Sequence, residues 1–467
     1  MMKLSPLSQT VHTLDTHDCP STIHIVLEIN GKPFTQKQLF KLCQDRLLCY
    51  PTFRSRIDND TLNWVELSHT DLANHVFIQP LKTHIDTYVG NILNKPLKSH
   101  CSPWELHFLE TSSYTACNYL VLRVSHAIGD GQILKSILEG LTDRIQTSKK
   151  PQPLAYNYPT NTTCNTTSLY LILTFVVALI GYIITAYHTP SRFVVIICMI
   201  ITVLIAGYKA YAILTKSTSL ISVKNKHISD IKSFSRTKAF DLTYLKKWKN
   251  KLPNKYTLND VIISIIAGGI VRYHALPCRN NTSAMPKNIY VSALHALGRQ
   301  KQSTEELREL YKLFADENKF GFIVLPLTLD NDINAYDRLE KVAKNIRSLS
   351  SKILMHTMNY ISILICTCRL INIIPYLVRY AITNILETYI SNVNTGIDCA
   401  ETIYGRAIDT VYHCTAPLSL GCTFSILSYN NKLIISSSAD ANIIPNLKKL
   451  ISCIELEYDA LLGAGKL

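Results

Sequence analysis

The alternation of apolar and polar positions predicts a succession of strands and helices in the first 150 residues. Ile23–Ile29 alternates with a period of two, which is typical of a half-buried strand. After a turn at Asn30-Gly31, the segment Thr35–Tyr50 has helical spacing with Thr35 as its N-cap. Further strands are predicted at Val76–Pro80, His107–Leu109 and Tyr119–Ser125, and a helix at Gln132–Arg144. This succession predicts an α/β layer arrangement.

A different pattern follows. No Asp, Glu, Lys or Arg occurs from Pro151 to Ser191, and two apolar runs occupy Leu169–Tyr187 and Phe193–Leu214. Both runs fit the roughly 20 residues that a membrane-spanning helix needs, the second if the side chain of Lys209 extends to the membrane surface. The pattern therefore predicts a transmembrane helical hairpin. The alternative is a buried helical hairpin inside a soluble core, although soluble helices rarely lack charge for so long.

A hairpin returns the chain to the side of the membrane from which it came, so both flanking domains can pack together. Lys149, Lys150 and Lys216 flank the hairpin, whereas only Arg192 lies in its tip. The positive-inside rule then places both flanking domains in the cytosol. Glycosylation sequons before the first run argue weakly for the opposite orientation. The predicted division is residues 1–150, a linker and hairpin at 151–215, and residues 216–467.

The second half returns to globular composition. Thr257–His274 is a strongly apolar helix that starts at Thr257 or Asn259, and Ile443–Leu462 is predicted as the last helix. Lys352–Thr388 is apolar but interrupted by charges, which fits amphipathic helices on a membrane surface or a buried pair of helices. Strands are predicted at Asn288–Leu294, Phe322–Leu329, Phe424–Ser428 and Leu433–Ser437, the last two joined as a hairpin.

Charge and cysteine content narrow the classes of partner. The 467 residues include 48 Lys+Arg and 34 Asp+Glu, a net charge of +14. A basic balance suits a phospholipid surface or a phosphate-bearing co-substrate. Because the basic residues are scattered without interleaved aromatic residues, we expect no nucleic-acid partner. The 14 Cys include no CxxC pair, so we expect no metal site.

The motif that carries chemistry is Ser125-His126-Ala-Ile-Gly-Asp130-Gly131, an HxxxDG pattern between a predicted strand and a predicted helix. A neutral imidazole can take the proton of an alcohol as it attacks a thioester, and can then pass that proton to the departing thiolate. Asp130 is interpreted as a structural anchor that pairs with an Arg. Gly131 permits a close backbone approach or an unusual φ. The pattern alone leaves open that His126 is a loop histidine with structural contacts only.

Several short segments, in this order and spacing, resemble the wax ester synthase/diacylglycerol acyltransferase family over nearly the whole chain outside the hairpin. They are Pro51–Ile57, Pro103–His107, the motif Ser125–Gly131, Leu258–Val261 with its Asn-Asp pair, Ile390–Gly396, and Phe424–Leu433 with Ala439-Asp440. The sequence departs from the family pattern in two places. Ser125 replaces the first of two motif histidines, and Asn394 and Ile397 replace two prolines.

The resemblance implies a two-domain fold like that of chloramphenicol acetyltransferase, with the predicted hairpin inserted and a tunnel between the domains. It implies direct transfer of a fatty acyl group from acyl-CoA to a long-chain alcohol or diacylglycerol, with His126 as general base and no bound cofactor. Ser125, Asn259 and Asn392 would bind substrate, and capping of its helix is the alternative role for Asn259. Membrane lipid is an expected partner, and the endoplasmic reticulum membrane the expected location; the oligomeric state stays open.

Two other functions stay open. One is an acyltransferase of the same fold with a different hydroxyl acceptor, such as a soluble alcohol; the predicted hairpin argues against it. The other is a non-catalytic membrane protein that binds lipid, against which the intact His126, Asp130 and Gly131 argue.

Overall fold

The structure is a computed structural model that describes residues 2–16, 20–111, 117–143, 229–276, 288–296, 320–330, 332–349, 388–417 and 421–464. The predicted hairpin lies outside these residues, as does the apolar stretch from Lys352 up to the residue before Thr388. Thr388 itself begins a strand. Within the described ranges, no helix combines the length and the apolar character that a membrane span requires.

Eight α-helices and sixteen strands are described in these ranges. The helices are α1 Pro6–Leu14, α2 Gln36–Arg46, α3 Ile85–Ile92, α4 Gly131–Leu141, α5 Leu242–Lys251, α6 Leu258–His274, α7 Ala335–Leu349 and α8 Leu447–Ala464. The strands are β1 Met2–Lys3, β2 Thr22–Ile29, β3 Ser55–Asp58, β4 Asn63–Glu66, β5 Val76–Pro80, β6 Trp104–Glu110, β7 Asn118–Ser125, β8 Lys232–Arg236, β9 Phe240–Asp241, β10 Asn288–Ala296, β11 Phe320–Thr328, β12 Thr388–Asn394, β13 Thr402–Ile403, β14 Arg406–Thr415, β15 Cys422–Tyr429 and β16 Lys432–Asp440.

The first large sheet has six strands in the order β13-β14-β2-β7-β6-β5. One face is packed by α2 and α4, and the other by α3 together with β8 and β16. The prediction that Ile23–Ile29 is half-buried is therefore wrong, since all eight residues of β2 are buried. A central strand that is covered on both faces keeps its polar residues inside; His24, for example, bonds to Arg123.

The second large sheet has seven strands, with the path β11-β10-β12-β15-β16-β8 and β9 paired to β16. Its strands β10, β12 and β15 run parallel to one another. Helices α5 to α8 cover one face and form an apolar core with it. The predicted hairpin of β15 and β16 is confirmed, and its turn residues Asn430 and Asn431 both have positive φ, as a tight hairpin turn requires.

Strand β14 joins the two sheets. The chain leaves the second sheet after β12, adds β13 and β14 to the first sheet, and returns to the second sheet as β15. Across the junction, the Ser436 hydroxyl donates to the carbonyl of His413 at 2.5 Å, and the Ser438 hydroxyl donates to that of Thr415. The first sheet thus draws strands from both sides of the predicted hairpin, and this exchange brings the two halves of the chain into one body.

Helix starts follow local sequence rules. Thr35 caps α2 as predicted, although the helix ends at Arg46 and not at Tyr50. The Gln38 side chain accepts the Thr35 amide in return, which the sequence analysis did not predict. Thr257 and Asp260 form the same reciprocal cap on α6. Of the two starts considered for that helix, Thr257 is confirmed, so the side chain of Asn259 is left for another contact.

Candidate active site

The HxxxDG motif forms the turn between β7 and α4. The backbone amide of His126 donates to the Ser21 carbonyl at 2.8 Å, which holds the loop to the start of β2. The Ser125 hydroxyl accepts the Ala127 amide at 3.3 Å and is itself buried. Ser125 therefore shapes the turn at the position where the resembled family has its first histidine. Its expected contact with substrate stays a prediction.

Asp130 is the capping residue of α4. Its carboxylate accepts the Ile133 amide at 3.1 Å, and the side chain is buried. A capping carboxylate accepts a hydrogen bond from a helix amide that is shielded from water and would otherwise have no acceptor. The negative charge of the carboxylate is also stabilised by the positive end of the helix dipole. This contact supports a structural role for Asp130. The arginine partner that we expected for it stays a prediction.

Two glycines let the loop pack tightly. A Cβ on Gly131 would lie 3.0 Å from Cγ2 of Val393 on β12, so this glycine permits close approach of α4 to the second sheet. A Cβ on Gly129 would lie 2.5 Å from Cγ2 of Ile133, one turn into the helix. The interpretation of Gly131 as a site of close approach fits this contact, whereas the need for a glycine at position 129 was not recognised from the sequence.

His126 is partly exposed and densely surrounded by protein. Burial lowers the pKa of the imidazole below its usual value, while its own backbone carbonyl and the charge of Asp130 raise the pKa and partly offset this effect. The ring is therefore neutral at pH 7, the form that can accept a proton from a hydroxyl group. Its remaining exposure leaves room for approach from outside the core.

The structure brings Asn259 and Asn392 together. The side-chain Nδ2 of Asn392 donates to the side-chain Oδ1 of Asn259 at 3.1 Å, which links β12 to the first turn of α6. Successive residues of a strand point to opposite faces. Asn392 thus faces α6, whereas Val393 faces the motif loop at Gly131 and Ser391 faces His413. A substrate-binding role for the two asparagines stays a prediction.

Ser391 and His413 are two residues of this region that sequence reasoning did not identify. Nε2 of His413 lies 3.3 Å from the Ser391 hydroxyl, and both side chains are buried. Burial, and secondarily the nearby His126, lower the pKa of His413 to about 4. His413 lies in no recognisable motif, and only the pairing of β14 with β2 brings it here.

Over the described ranges, no group of three or more His, Cys, Asp or Glu side chains is arranged to hold a metal ion.

Comparison with solved structures identifies the fold. A wax ester synthase/diacylglycerol acyltransferase from Marinobacter aquaeolei VT8 superposes with a TM-score of 0.62 and 15% identity, covering 100% of both chains. A trichothecene 15-O-acetyltransferase from Fusarium sporotrichioides gives a TM-score of 0.61 at 11% identity, over 97% of this chain and 94% of that one. The starter condensation domain of rhizomide synthetase, solved in complex with C8-CoA, gives a TM-score of 0.52 at 10% identity, over 98% of this chain and 95% of that one. The fold is thus the two-domain α/β fold of chloramphenicol acetyltransferase-like proteins and condensation domains.

Sequence comparison narrows this class. Residues 317–462 match the model of the WS/DGAT C-terminal domain. Wax ester synthase/diacylglycerol acyltransferase 11 of Arabidopsis thaliana is 24% identical, covering 98% of this chain and 96% of the relative. Wax ester synthase/diacylglycerol acyltransferase 4 of Arabidopsis thaliana is 22% identical, covering 87% of this chain and 80% of the relative. Residues 317–462 therefore match this family's C-terminal domain, and the similarity to wax ester synthase/diacylglycerol acyltransferases extends over nearly the whole chain, in agreement with the resemblance of its motifs.

Proposed function

We propose that this protein transfers a fatty acyl group from acyl-CoA to the hydroxyl of a long-chain alcohol or a diacylglycerol, with His126 as the general base. The observation that carries the proposal is the environment of this imidazole: burial lowers its pKa, and it lies in the HxxxDG turn between the two sheets. A neutral imidazole in that position can accept a proton without a preceding deprotonation step.

The proposed reaction is a single displacement. His126 takes the hydroxyl proton as the acceptor oxygen attacks the thioester carbonyl, and the negative charge passes to the carbonyl oxygen. Collapse of this tetrahedral species breaks the carbon–sulfur bond, and the imidazolium returns the proton to the CoA thiolate. The products are an ester and free CoA, so atoms and charge balance without an acyl-enzyme.

Asp130 and Gly131 would act through the loop. The capping carboxylate of Asp130 fixes the first turn of α4, and Gly131 lets that turn lie against Val393. Both contacts restrict the position of His126 relative to the second sheet. Restricting a general base in this way lowers the entropy that must be lost on reaching the transition state.

We also propose that the protein resides in the endoplasmic reticulum membrane, with both domains in the cytosol. This part of the proposal rests on the apolar runs at 169–187 and 193–214, of which only the second contains a charged residue, Lys209, and on the lysines outside them. Its test is the glycosylation state of Asn161 and Asn165. Both sequons should stay unmodified in microsomes, whereas a mobility shift that an endoglycosidase reverses would contradict the orientation.

The activity is tested with microsomes that contain the full chain and radiolabelled palmitoyl-CoA. Hexadecanol, 1,2-dioleoylglycerol and a short, water-soluble alcohol are offered separately, and the labelled products are identified by mass spectrometry. Ester from either acceptor, absent from control microsomes, supports the proposal. Ester formed only with a short, water-soluble alcohol would favour the same fold with another acceptor. Absence of ester from every acceptor would favour a non-catalytic lipid-binding protein.

A further inference from the structure

A row of serines crosses the second sheet on the face that meets the first sheet. Ser391 on β12 is in register with Ser425 on β15, which in turn is in register with Ser436 on β16. All three side chains are buried. Val393 lies two residues beyond Ser391 on the same face and contacts the motif loop at Gly131. The row therefore begins beside the loop that carries His126.

His413 covers this row from the first sheet. Its Nε2 is 3.3 Å from the Ser391 hydroxyl, and its backbone carbonyl accepts the Ser436 hydroxyl at 2.5 Å. The lowered pKa of His413 keeps this ring neutral at physiological pH. One of its two nitrogens then carries a hydrogen and the other accepts one.

Two polar atoms of this cluster have no partner among the residues that the structure describes. They are Nδ1 of His413 and the hydroxyl oxygen of Ser425. His413 is 5% exposed and Ser425 is 1% exposed, so neither atom is open to bulk water. Burying a polar group without a hydrogen bond destabilises the protein, because the group loses its bonds to water. His413 lies near His126 and Ser425 is in register with Ser391, so a polar ligand bound at this cluster would satisfy both atoms.

We propose that His413 and Ser425, oriented by Ser391, form an acceptor subsite that hydrogen-bonds a second oxygen of the acceptor, so that the site selects an acylglycerol over a simple long-chain alcohol. The inference rests on the proposed function, because it assigns the acceptor of that same reaction. Ser391 is a positioning residue here, since it acts through His413.

The chemistry of the two acceptors explains the selection. When the Ser391 hydroxyl donates to Nε2, the hydrogen of His413 lies on Nδ1 and points away from Ser391. Nδ1 and the Ser425 hydroxyl can then both donate, and the ester carbonyls of an acylglycerol can only accept. A simple alkanol has no oxygen besides the one that reacts. Bound alkanol would leave both donors buried without partners, and sites built to hydrogen-bond a ligand reject ligands that lack the group.

The first test is Ser425→Ala in full-length protein in microsomes, assayed with 1,2-dioleoylglycerol and with hexadecanol. The readout is the ratio of kcat/KM for the two acceptors. One lost neutral hydrogen bond should lower this ratio by about fivefold. Ser264→Ala is the matched control, because Ser264 is also a buried serine whose hydroxyl has no described partner, on α6 in the core of the second domain. This control should leave the ratio unchanged.

The second test uses His413→Asn and His413→Leu. The side-chain amide of Asn occupies the position of Nδ1 and therefore keeps a hydrogen-bond donor there. Leu fills a similar volume but has no donor. We expect His413→Leu to lower the ratio by about fivefold or more relative to the wild type. His413→Asn should retain most of the wild-type ratio. A purely structural role would lower kcat/KM for both acceptors alike and leave the ratio constant.

The outcomes separate the two proposals. An unchanged ratio in Ser425→Ala, or equal losses on both acceptors in His413→Leu, overturns the subsite. Wild-type protein that esterifies hexadecanol but not diacylglycerol also overturns the subsite, while the acyltransferase itself stands. Wild-type protein that makes no ester at all overturns the proposed function first.

Discussion

Gly131 and Val393 meet at the junction of the two sheets, where an added Cβ on Gly131 would come within 3.0 Å of Cγ2 of Val393. Gly131 opens α4 in the first domain, and Val393 lies on β12 of the second sheet. This contact sets how close the motif loop lies to the face that carries Ser391. It therefore couples the packing of the domains to the position of His126.

Substitution of His126 tests the general base. We expect His126→Ala to lower the rate of ester formation by a factor of about 100 to 10,000, the usual contribution of a positioned acid–base group. Expression and membrane attachment should not change. Rates are measured with labelled acyl-CoA in microsomes of equal protein content.

The control for this substitution is His69→Ala, because His69 is an exposed loop histidine. It should retain full activity. An active His126→Ala protein would remove His126 from the role of base.

Asp130→Ala removes the cap of α4. We expect a loss of about 1 kcal/mol in the free energy of unfolding, since the Ile133 amide would lose its acceptor. Activity should fall as well, because the first turn of α4 holds the loop. Thermal unfolding and ester formation are measured on the same preparation.

Asp130→Ser is the matched variant, because serine also accepts the Ile133 amide at a helix start. It should recover most of the lost stability. A reduced rate at unchanged thermal stability in Asp130→Ala would contradict the structural assignment.

Gly131→Ala tests the contact between the domains. The added methyl group must displace Val393, so we expect lower activity and a loss of about 1 kcal/mol in stability. The double variant Gly131→Ala with Val393→Ala should recover part of both losses, because the smaller side chain makes room. The coupling is measured as a double-mutant cycle. Additive effects of the two changes would show that this contact does not position the loop.

The lowered pKa of His126 predicts the pH dependence of the reaction. The base must be neutral, so kcat/KM rises with pH as the imidazolium loses its proton. Because burial lowers the pKa below the ordinary value of about 6.5, the rise should be half complete below that pH. Between about pH 7 and 8 the rate should be constant. A half-maximal rate above about pH 7 would mean that the base is another group.

Local sequence determined much of this protein. The caps at Thr35 and Thr257, the hairpin through Asn430 and Asn431, and the turn that presents His126 depend on side chains only a few residues apart. Such features can be predicted from spacing alone, because the contacts that stabilise them lie within one turn of the chain. The order of the short motifs was sufficient to reveal the family resemblance that the sequence comparisons support.

Only the tertiary structure decided which distant residues meet. Strand β14 inserts beside β2, and this places His413 over Ser391 and beside the motif loop, although 287 positions separate His413 from His126 along the chain. The alternation of apolar and polar residues in β2 predicted a half-exposed strand, but β2 is buried on both faces. Long-range strand pairing is set by the summed burial of whole faces, and a local pattern carries no information about which other strand will cover it.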